Sequence, residues 1–565
     1  MNAPPAAAVF DRSRTMAGAV ERHAAERPDD TAFRFVARHA ANTRELSWGD
    51  LDATARRVGA ALVGKGLVGK PVAVICPDPR DFLIALCGCF YAGAVVVPVP
   101  AVATRRSAGR IGSILEAASP AAVLATAKVL EQPWIAELLE AGGIEGLPLT
   151  PEAGDRLEAI ARPTDLDGPA LIQFTSGSTG TPRGVGLSHA NLASNCSAIV
   201  EAYGLSAATR GFSWLPLHHD MGLVGHVLTP LWIGCRSTIM DPLLFLQSPL
   251  RWLRRAGEEG ATITSAPNFA YELCVKEAAR GGDLAGIDLS SLTAMVCGGE
   301  AVWPETVDAF CRVFATVGLD RGAFAPSYGL AEATLLVSSG RRPSGPRVHA
   351  DPVEGWDGAE AGGPVVSLGR PVSGVAVTIV DAGGNVCGDG VIGEIEISGE
   401  SVGPPVGGGV TVGGRVPTGD LGFIHDGEIY ISGRRKEIII LRGQNVYPGD
   451  IENAALRADP AIRPGAVAAV AVRDGGTEAM ILVFEADRGL GADDFTAMSR
   501  RLNQGIAQAT GHTPDGLVAV PVGALPRTTS GKIRRHLVSD LYGKANLPIL
   551  QETRRSSARD EAGKP

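Results

Sequence analysis

Residues Phe82 to Thr104 carry no charged side chain, and this stretch restricts the fold more than any other in the chain. It is long enough to span a bilayer. Gly93 interrupts it after a helical half, however, and Pro98 and Pro100 close a short Val-rich half. The stretch therefore reads as a buried helix followed by a buried strand, and a strand apolar on both sides belongs in a parallel sheet covered on both faces. A transmembrane segment is not expected. The N-terminus has Pro4, Pro5 and several alanines but no basic start and no sustained apolar core, so no signal peptide is expected either.

The same alternation continues around it. Strand-like runs such as Val72 to Ile75 and Ala94 to Val97 alternate with helical patterns, including Leu51, Val58 and Leu62 after the capping-type sequence Ser47-Trp-Gly-Asp50. After Gly369 the pattern turns to short strands, Val377 to Val380, Glu394 to Ile397 and Glu428 to Ser432, between glycine-rich turns. From Arg435 onward, Ile438 to Leu441, Val467 to Val472, Met480 to Phe484 and a helix carrying Phe495, Met498, Leu502 and Ile506 make a compact α+β unit. At 565 residues and 45% hydrophobic, the chain can fill more than one core. The polar residues after about Leu550 are expected to be disordered.

A net charge of −9 argues against general nucleic-acid binding but leaves room for a local anion site. None of the nine cysteines forms a C-x-x-C pair, which removes the usual zinc spacing and fits a reducing, cytoplasmic setting.

The stretch Thr175-Ser-Gly-Ser-Thr-Gly-Thr-Pro-Arg-Gly184 concentrates hydroxyls, glycines and one cation behind the apolar run Ala170 to Phe174. Leu192, Cys196, Ile199, Val200 and Tyr203 follow at helical spacing, so the loop is expected to join a strand to a helix. Gly177, Gly180 and Gly184 let backbone N–H groups approach an anion, Thr175, Ser176, Ser178 and Thr179 add hydroxyls, and Arg183 adds charge. A Ser/Gly-rich surface turn has the same composition. A P-loop NTPase needs Lys and then a hydroxyl after its last glycine. Here Val185 follows Gly184, and the late pair Gly531-Lys532 is followed by Ile533, so both sites fail that pattern.

The loop resembles the phosphate loop of the adenylate-forming superfamily, the AMP-producing acyl and aryl ligases. Further blocks follow in that superfamily's order: Ser213-Trp-Leu-Pro-Leu-His-His-Asp-Met-Gly-Leu223, Ser265-Ala-Pro-Asn-Phe269, Gly298-Gly-Glu300, Ser327-Tyr-Gly-Leu-Ala-Glu-Ala-Thr334, Thr418-Gly-Asp420, Gly433-Arg-Arg-Lys436 and Ser530-Gly-Lys532. The blocks at 213–223, 265–269 and 329–334 are most similar to the fatty acyl-AMP ligases. The resemblance implies an α/β fold, with a large N-terminal AMP-binding domain over 1–433 that includes a small β-rich subdomain at about 370–433. It implies a hinge at 434–436, a mobile C-terminal α+β domain over 437–545 and a tail at 546–565.

It also implies a reaction: attack of a fatty or related carboxylate on the α-phosphate of ATP, giving acyl-AMP and pyrophosphate, then acyl transfer to the thiol of an acyl carrier protein. By resemblance, Lys532 bridges the α-phosphate and the substrate carboxylate. Asp420 takes the ribose hydroxyls with help from Arg434, and Tyr328, between Ser327 and Gly329, lies under adenine while Gly298, Gly299 and Glu300 flank its other face. Glu332 is the acidic Mg²⁺ ligand, with Thr179 near the phosphates. His219 lies near the acyl carboxylate, where Asp220, Met221, Gly222 and Asn268 help to wall the pocket. A zinc site at His218 and His219 is disfavoured, because adjacent residues seldom converge on one ion; a histidine satisfied in the core is the plainer reading. Lys436 occupies the hinge position. In the transfer pose, Arg434, Arg435, Lys436, Arg442, Arg534 and Arg535 are expected to face an acidic carrier.

The chain departs from the pattern in three places. Arg183 stands near the position where the family carries Lys, and its planar fork favours bidentate phosphate contact. The segment between Gly399 and Thr418 is short. The insert Ser339 to Val365, typical of the acyl-AMP ligases and associated there with poor use of coenzyme A, is also short. An acyl-CoA ligase is therefore the alternative enzyme, and a non-catalytic adenylate-binding relative the remote one.

Overall fold

In a computed structural model, the structure describes residues 15–36, 43–100, 108–152, 158, 168–175, 182–340, 345–351, 353–354, 360–361, 364–404, 406, 414–441, 444–474, 477–528 and 531–554. The uncharged stretch folds as the sequence requires. Asp78 caps the helix Pro79–Ala92 by accepting from the Arg80 N–H, and Gly93, at φ 67°, turns the chain into the strand Val95–Pro98. Phe82 through Ala92 are all buried, because a second helix, Trp48–Gly64, packs across this one. A Cβ on Gly88 would stand 2.4 Å from Val58 Cγ1, so glycine permits that approach. No helix among the described residues is long and apolar enough to cross a membrane.

Two large sheets flank this helical layer. One has six strands in the order Glu145–Pro148, Ala122–Ala125, Pro71–Ile75, Val95–Pro98, Pro169–Thr175 and Arg183–Ser188, parallel except for the last pair. The other has nine, with a parallel centre of Phe324–Gly329, Ala294–Cys297, Ile263–Ala266, Arg210–Ser213, Arg236–Met240 and Thr31–Val36. Its second face buries Trp214, Phe245, Trp252, Tyr271, Phe310 and Phe324, with Trp214 stacked on Phe245 at 3.8 Å. Each such side chain contributes about 1.5–3 kcal/mol on burial.

The expected strand–loop–helix at Thr175 needs correction. Thr175 pairs with Arg183 in an antiparallel hairpin, and the helix His189–Tyr203 begins only after the strand Arg183–Ser188. Gly184 and Gly186 disguise that strand in sequence, yet Val185 and Leu187, which alternate with them, are buried. Residues 176–181 lie outside the described residues.

The β-rich subdomain is an antiparallel sheet of Val375–Val380, Gly393–Gly399, Val416–His425 and Glu428–Arg434. From the short segment before Thr418, Gly403 donates to Glu332 O, while Gly186 donates to Pro404 O and Val406 to Gly184 O, tying this subdomain to the hairpin. Within the 339–365 insert, Val348–His349 pairs with Val365–Val366, and the His349 ring packs on Phe423 and Tyr430.

The C-terminal domain joins a sheet of Val467–Asp474, Thr477–Ala486, Gly516–Pro521 and Gln551–Arg554 to the helices Pro448–Ala458, Ala492–Thr510 and Arg535–Gly543. The expected tail is ordered through Arg554. Leu547 is buried beside Val538 and Tyr542, and Gln551–Arg554 pairs with Gly516–Ala519. An edge strand is held by backbone hydrogen bonds, so its polar side chains gave no signal. Residues 555–565 lie outside the described residues.

Candidate active site

Four of the sequence blocks lie where four neighbouring parallel strands end, the chain leaving the sheet at Trp214 after Ser213, Pro267 after Ala266, Gly298 after Cys297, and Leu330 after Gly329. The carboxyl edge of such a sheet is where α/β proteins gather their ligands, because turns there collect residues from several strands on a fixed frame. A cleft of about 2160 Å³ opens along this edge and is bounded by His219, Glu300, Tyr328, Glu332, Asp420 and Lys532.

Asp420 stands on the strand Val416–His425 at a bulge, with Gly419 at φ 75° and its own N–H bonded to Thr418 Oγ1. Thr418-Gly-Asp420 thus forms a bulge within a strand, which aims the carboxylate into the cleft. Tyr328 donates to Oδ2 at 2.7 Å and Arg434 Nε to Oδ1 at 2.9 Å. Burial, then the Asp420 charge, holds the Tyr328 phenol well above its ordinary range, and Asp420 raises the Arg434 pKa.

Lys532 comes from the C-terminal domain. A Cβ on Gly299, whose φ is 81°, would stand 3.6 Å from its Nζ, so the glycine leaves the ammonium its place. The surrounding protein lowers the Lys532 pKa and Asp220 opposes this, as Glu300 and Asp420 do to a lesser degree. Gly531 lies against Phe269, whose N–H donates to Glu300 Oε1 at 2.6 Å. Burial raises the pKa of Asp220, Glu300 and Glu332.

The segment after Ser213 turns at Pro216 and enters a π-helix, Met221–Leu228, capped by Asp220. Such wide turns cluster at functional sites, and hydrophobic periodicity gave no sign of this one. Gly222 is required, since a Cβ there would stand 2.4 Å from Pro216 O. Gln173 donates to His218 O at 2.8 Å, and burial keeps both histidines neutral, His218 down to about 3 and His219 well below the ordinary value. No group of three or more His, Cys, Asp or Glu suited to a metal occurs among the described residues. Asn268 borders the cleft, but its amide also ties two helices together, accepting from the Trp303 N–H and donating to Thr306.

Of the phosphate loop, Ser176, Gly177, Ser178, Thr179 and Gly180 lie outside the described residues, whereas the backbones of Thr175 and Arg183 are paired in register across the hairpin. A cation the sequence did not disclose, Arg110 of the helix Ala108–Ala118, is near enough to lower the pKa of both His218 and His219.

The family model for the AMP-binding enzyme matches residues 20–404. The chain belongs to the AMP-binding enzyme family. Within this AMP-binding family, it is 34% identical to the long-chain-fatty-acid–AMP ligase FadD32 of Mycolicibacterium smegmatis, over 95% of this chain and 96% of that protein. It is 32% identical to a Mycobacterium leprae protein provisionally named fatty-acid–CoA ligase fadD21, over 93% and 97%. A solved structure from a study of fatty acyl-adenylate ligases of E. coli and L. pneumophila superposes with a TM-score of 0.85 at 30% identity, covering 94% of this chain and 98% of that one. Fold and family are those of an AMP-forming acyl ligase.

In this pose, three cations of the expected basic surface have carboxylate partners within the chain, although Arg434 and Arg435 each stay 55% exposed. Arg434 pairs with Asp420, Arg435 with Glu394, and Arg535 with both Glu437 and Glu452. Arg442 lies outside the described residues, and Lys436 sits exposed in the turn Arg435–Glu437.

Proposed function

We propose that this AMP-binding enzyme activates a fatty or related carboxylic acid as its acyl-adenylate and then passes the acyl group to the phosphopantetheine thiol of an acyl carrier protein. The observation that carries the first half is the meeting of Lys532 with Gly299 beside the paired Asp420, Tyr328 and Arg434. The substrate carboxylate and the α-phosphate are both anions, so an ammonium held in place between them lowers the barrier to their meeting. Lys532 is assigned that part. The carboxylate oxygen bonds to the α-phosphorus and pyrophosphate leaves.

A carboxylate has about four acceptor sites, and two on Asp420 are engaged. The remaining two suit the ribose diol. Tyr328 and the backbone of Gly298, Gly299 and Glu300 are assigned to adenine, and Arg183 with the loop Thr175–Gly180 to the phosphates. Glu332 fits Mg²⁺, which takes few protein carboxylates beside phosphate oxygens and would neutralise phosphate charge there with Thr179. Neutral His219, with Asp220, Met221, Gly222 and Asn268, is assigned to the acyl carboxylate and the first part of its chain.

For the second half, the thiol sulfur bonds to the acyl carbon and AMP leaves. We place the hinge at 434–436, between a domain of 1–433 and one beginning at 437, with Lys436 absorbing the dihedral change that removes Lys532. The FadD32 name supports an AMP-ligase reading and the fadD21 name a coenzyme A acceptor.

One paired assay separates them. ATP, Mg²⁺ and a panel of fatty acids are followed for pyrophosphate, and then for transfer to coenzyme A or to a phosphopantetheinylated carrier protein. Acyl-AMP accumulation with transfer to the carrier alone is the expected result. Rapid acyl-CoA formation overturns the acceptor, and no pyrophosphate with any acid overturns the reaction.

A further inference from the structure

Part of the cleft wall is apolar: Ile199, Ile263 and Val296 line it, and Gly225 of the π-helix keeps its own position free of a side chain. Two hydrogen-bonded pairs interrupt this wall. His226 Nε2 lies 2.6 Å from Ser265 Oγ, and the Tyr203 hydroxyl 2.8 Å from Ser327 Oγ, and all four residues line the cleft. His226 is only 2% exposed, and its Nδ1 is buried with no partner among the described residues. Leaving a buried polar atom unpaired is unfavourable. A wall made only to hold an alkyl chain would not require that expense, because Leu or Phe would fill the same volume.

We infer that the His226–Ser265 pair is a specificity element that favours carboxylic acids bearing a hydroxyl or oxo group along the chain over the plain alkyl acid of the same length. This rests on the acyl-adenylation reading. When the imidazole proton is on Nε2, Ser265 Oγ accepts it, and the serine hydroxyl hydrogen is left for an oxygen in the cleft. With the proton on Nδ1, Ser265 donates to the ring, and its oxygen still accepts from a substrate hydroxyl. Burial pushes the His226 pKa down to about 4, so the ring is neutral and offers no counter-charge. A second carboxylate at that depth would be an unpaired buried charge. The group recognised is therefore neutral.

The test uses the full chain with ATP and Mg²⁺, following pyrophosphate. The substrates are straight-chain acids of increasing length and the same acids carrying a single hydroxyl or oxo group at successive carbons. At one or two chain positions, kcat/KM of the oxygenated acid should exceed that of the plain acid by about tenfold, mainly through KM, as expected for one net hydrogen bond. Ser265→Ala and His226→Phe should bring the ratio to about one, and His226→Asn should restore part of it. Equal ratios at every position in the wild type overturn the proposal, as does a Ser265→Ala effect that lowers all acids alike, the mark of a structural pair. Should no acid release pyrophosphate, the adenylation reading fails separately. Thermal-shift titration with the same acids then decides the pair's role: a larger shift for the oxygenated member that Ser265→Ala removes supports it, and equal shifts overturn it.

Discussion

Tyr328 and Asp420 lie 92 residues apart in sequence, yet the tyrosine hydroxyl donates to the Asp420 carboxylate at 2.7 Å across the junction of the nine-stranded sheet and the β-rich subdomain. The contact fixes which carboxylate lone pairs remain for a ligand. Tyr328→Phe should free one oxygen and loosen its aim, raising KM for ATP by about threefold to tenfold, while Asp420→Ala, which also strands Arg434, should cost more. Steady-state pyrophosphate release against ATP concentration measures both. An unchanged KM in Asp420→Ala would remove the diol assignment.

Lys532→Ala should lower acyl-AMP formation by about 100- to 1000-fold, the usual loss when one preorganised charge stabiliser is deleted. Its side chain is solvent-accessible, so the melting temperature should hardly move. Transfer from chemically supplied acyl-AMP should survive. Undiminished pyrophosphate release would overturn the mechanism.

Arg457 of the C-terminal domain meets Glu305 of the N-terminal domain at 2.6 Å, with the side chains 47% and 44% exposed. At that exposure the pair is worth about 0.2–1 kcal/mol. Glu305→Arg should therefore slow adenylation by no more than about fivefold, by weakening the pose that brings Lys532 to Gly299, and added salt should shrink the difference. The swapped pair, Glu305→Arg with Arg457→Glu, should recover the rate in single-turnover adenylation.

His189 is 7% exposed and burial pushes its pKa down to about 4, so the folded state holds it neutral while the unfolded chain protonates it near 6.5. Between those values the unfolded state binds more protons, so stability falls as pH falls from 6.5 toward 4. By pH 5 this one group contributes about 2 kcal/mol of loss. Urea unfolding at pH 7 and pH 5 should show a smaller drop for His189→Gln than for the wild type. Carboxylates with raised pKa, Glu300 and Glu332 among them, act in the opposite sense, so the comparison must be between variants.

Fold class was legible because burial leaves its mark on composition. The uncharged stretch from Phe82 admits few arrangements, and the Ser47 and Asp78 caps and the Gly93 turn are local chemistry. The hairpin strand at Arg183 and the edge strand at Gln551 were missed for a shared reason: backbone pairing with a partner strand holds them, and side-chain pattern does not report it. The π-helix was missed because Met221–Leu228 is apolar and buried on nearly every side, so its side-chain pattern carries no period to read.

By itself, then, the sequence determined the α/β architecture, the order of the blocks and the residue types available to an adenylating site, since these follow from local propensity and from motifs contiguous in the chain. Tertiary structure alone decided that Tyr328 and Arg434 share Asp420, that Glu437 and Glu452 neutralise Arg535, and that His226 meets Ser265. Each of those pairings depends on distances between elements remote in sequence, and a hydrogen bond or ion pair changes its strength within a few tenths of an ångström.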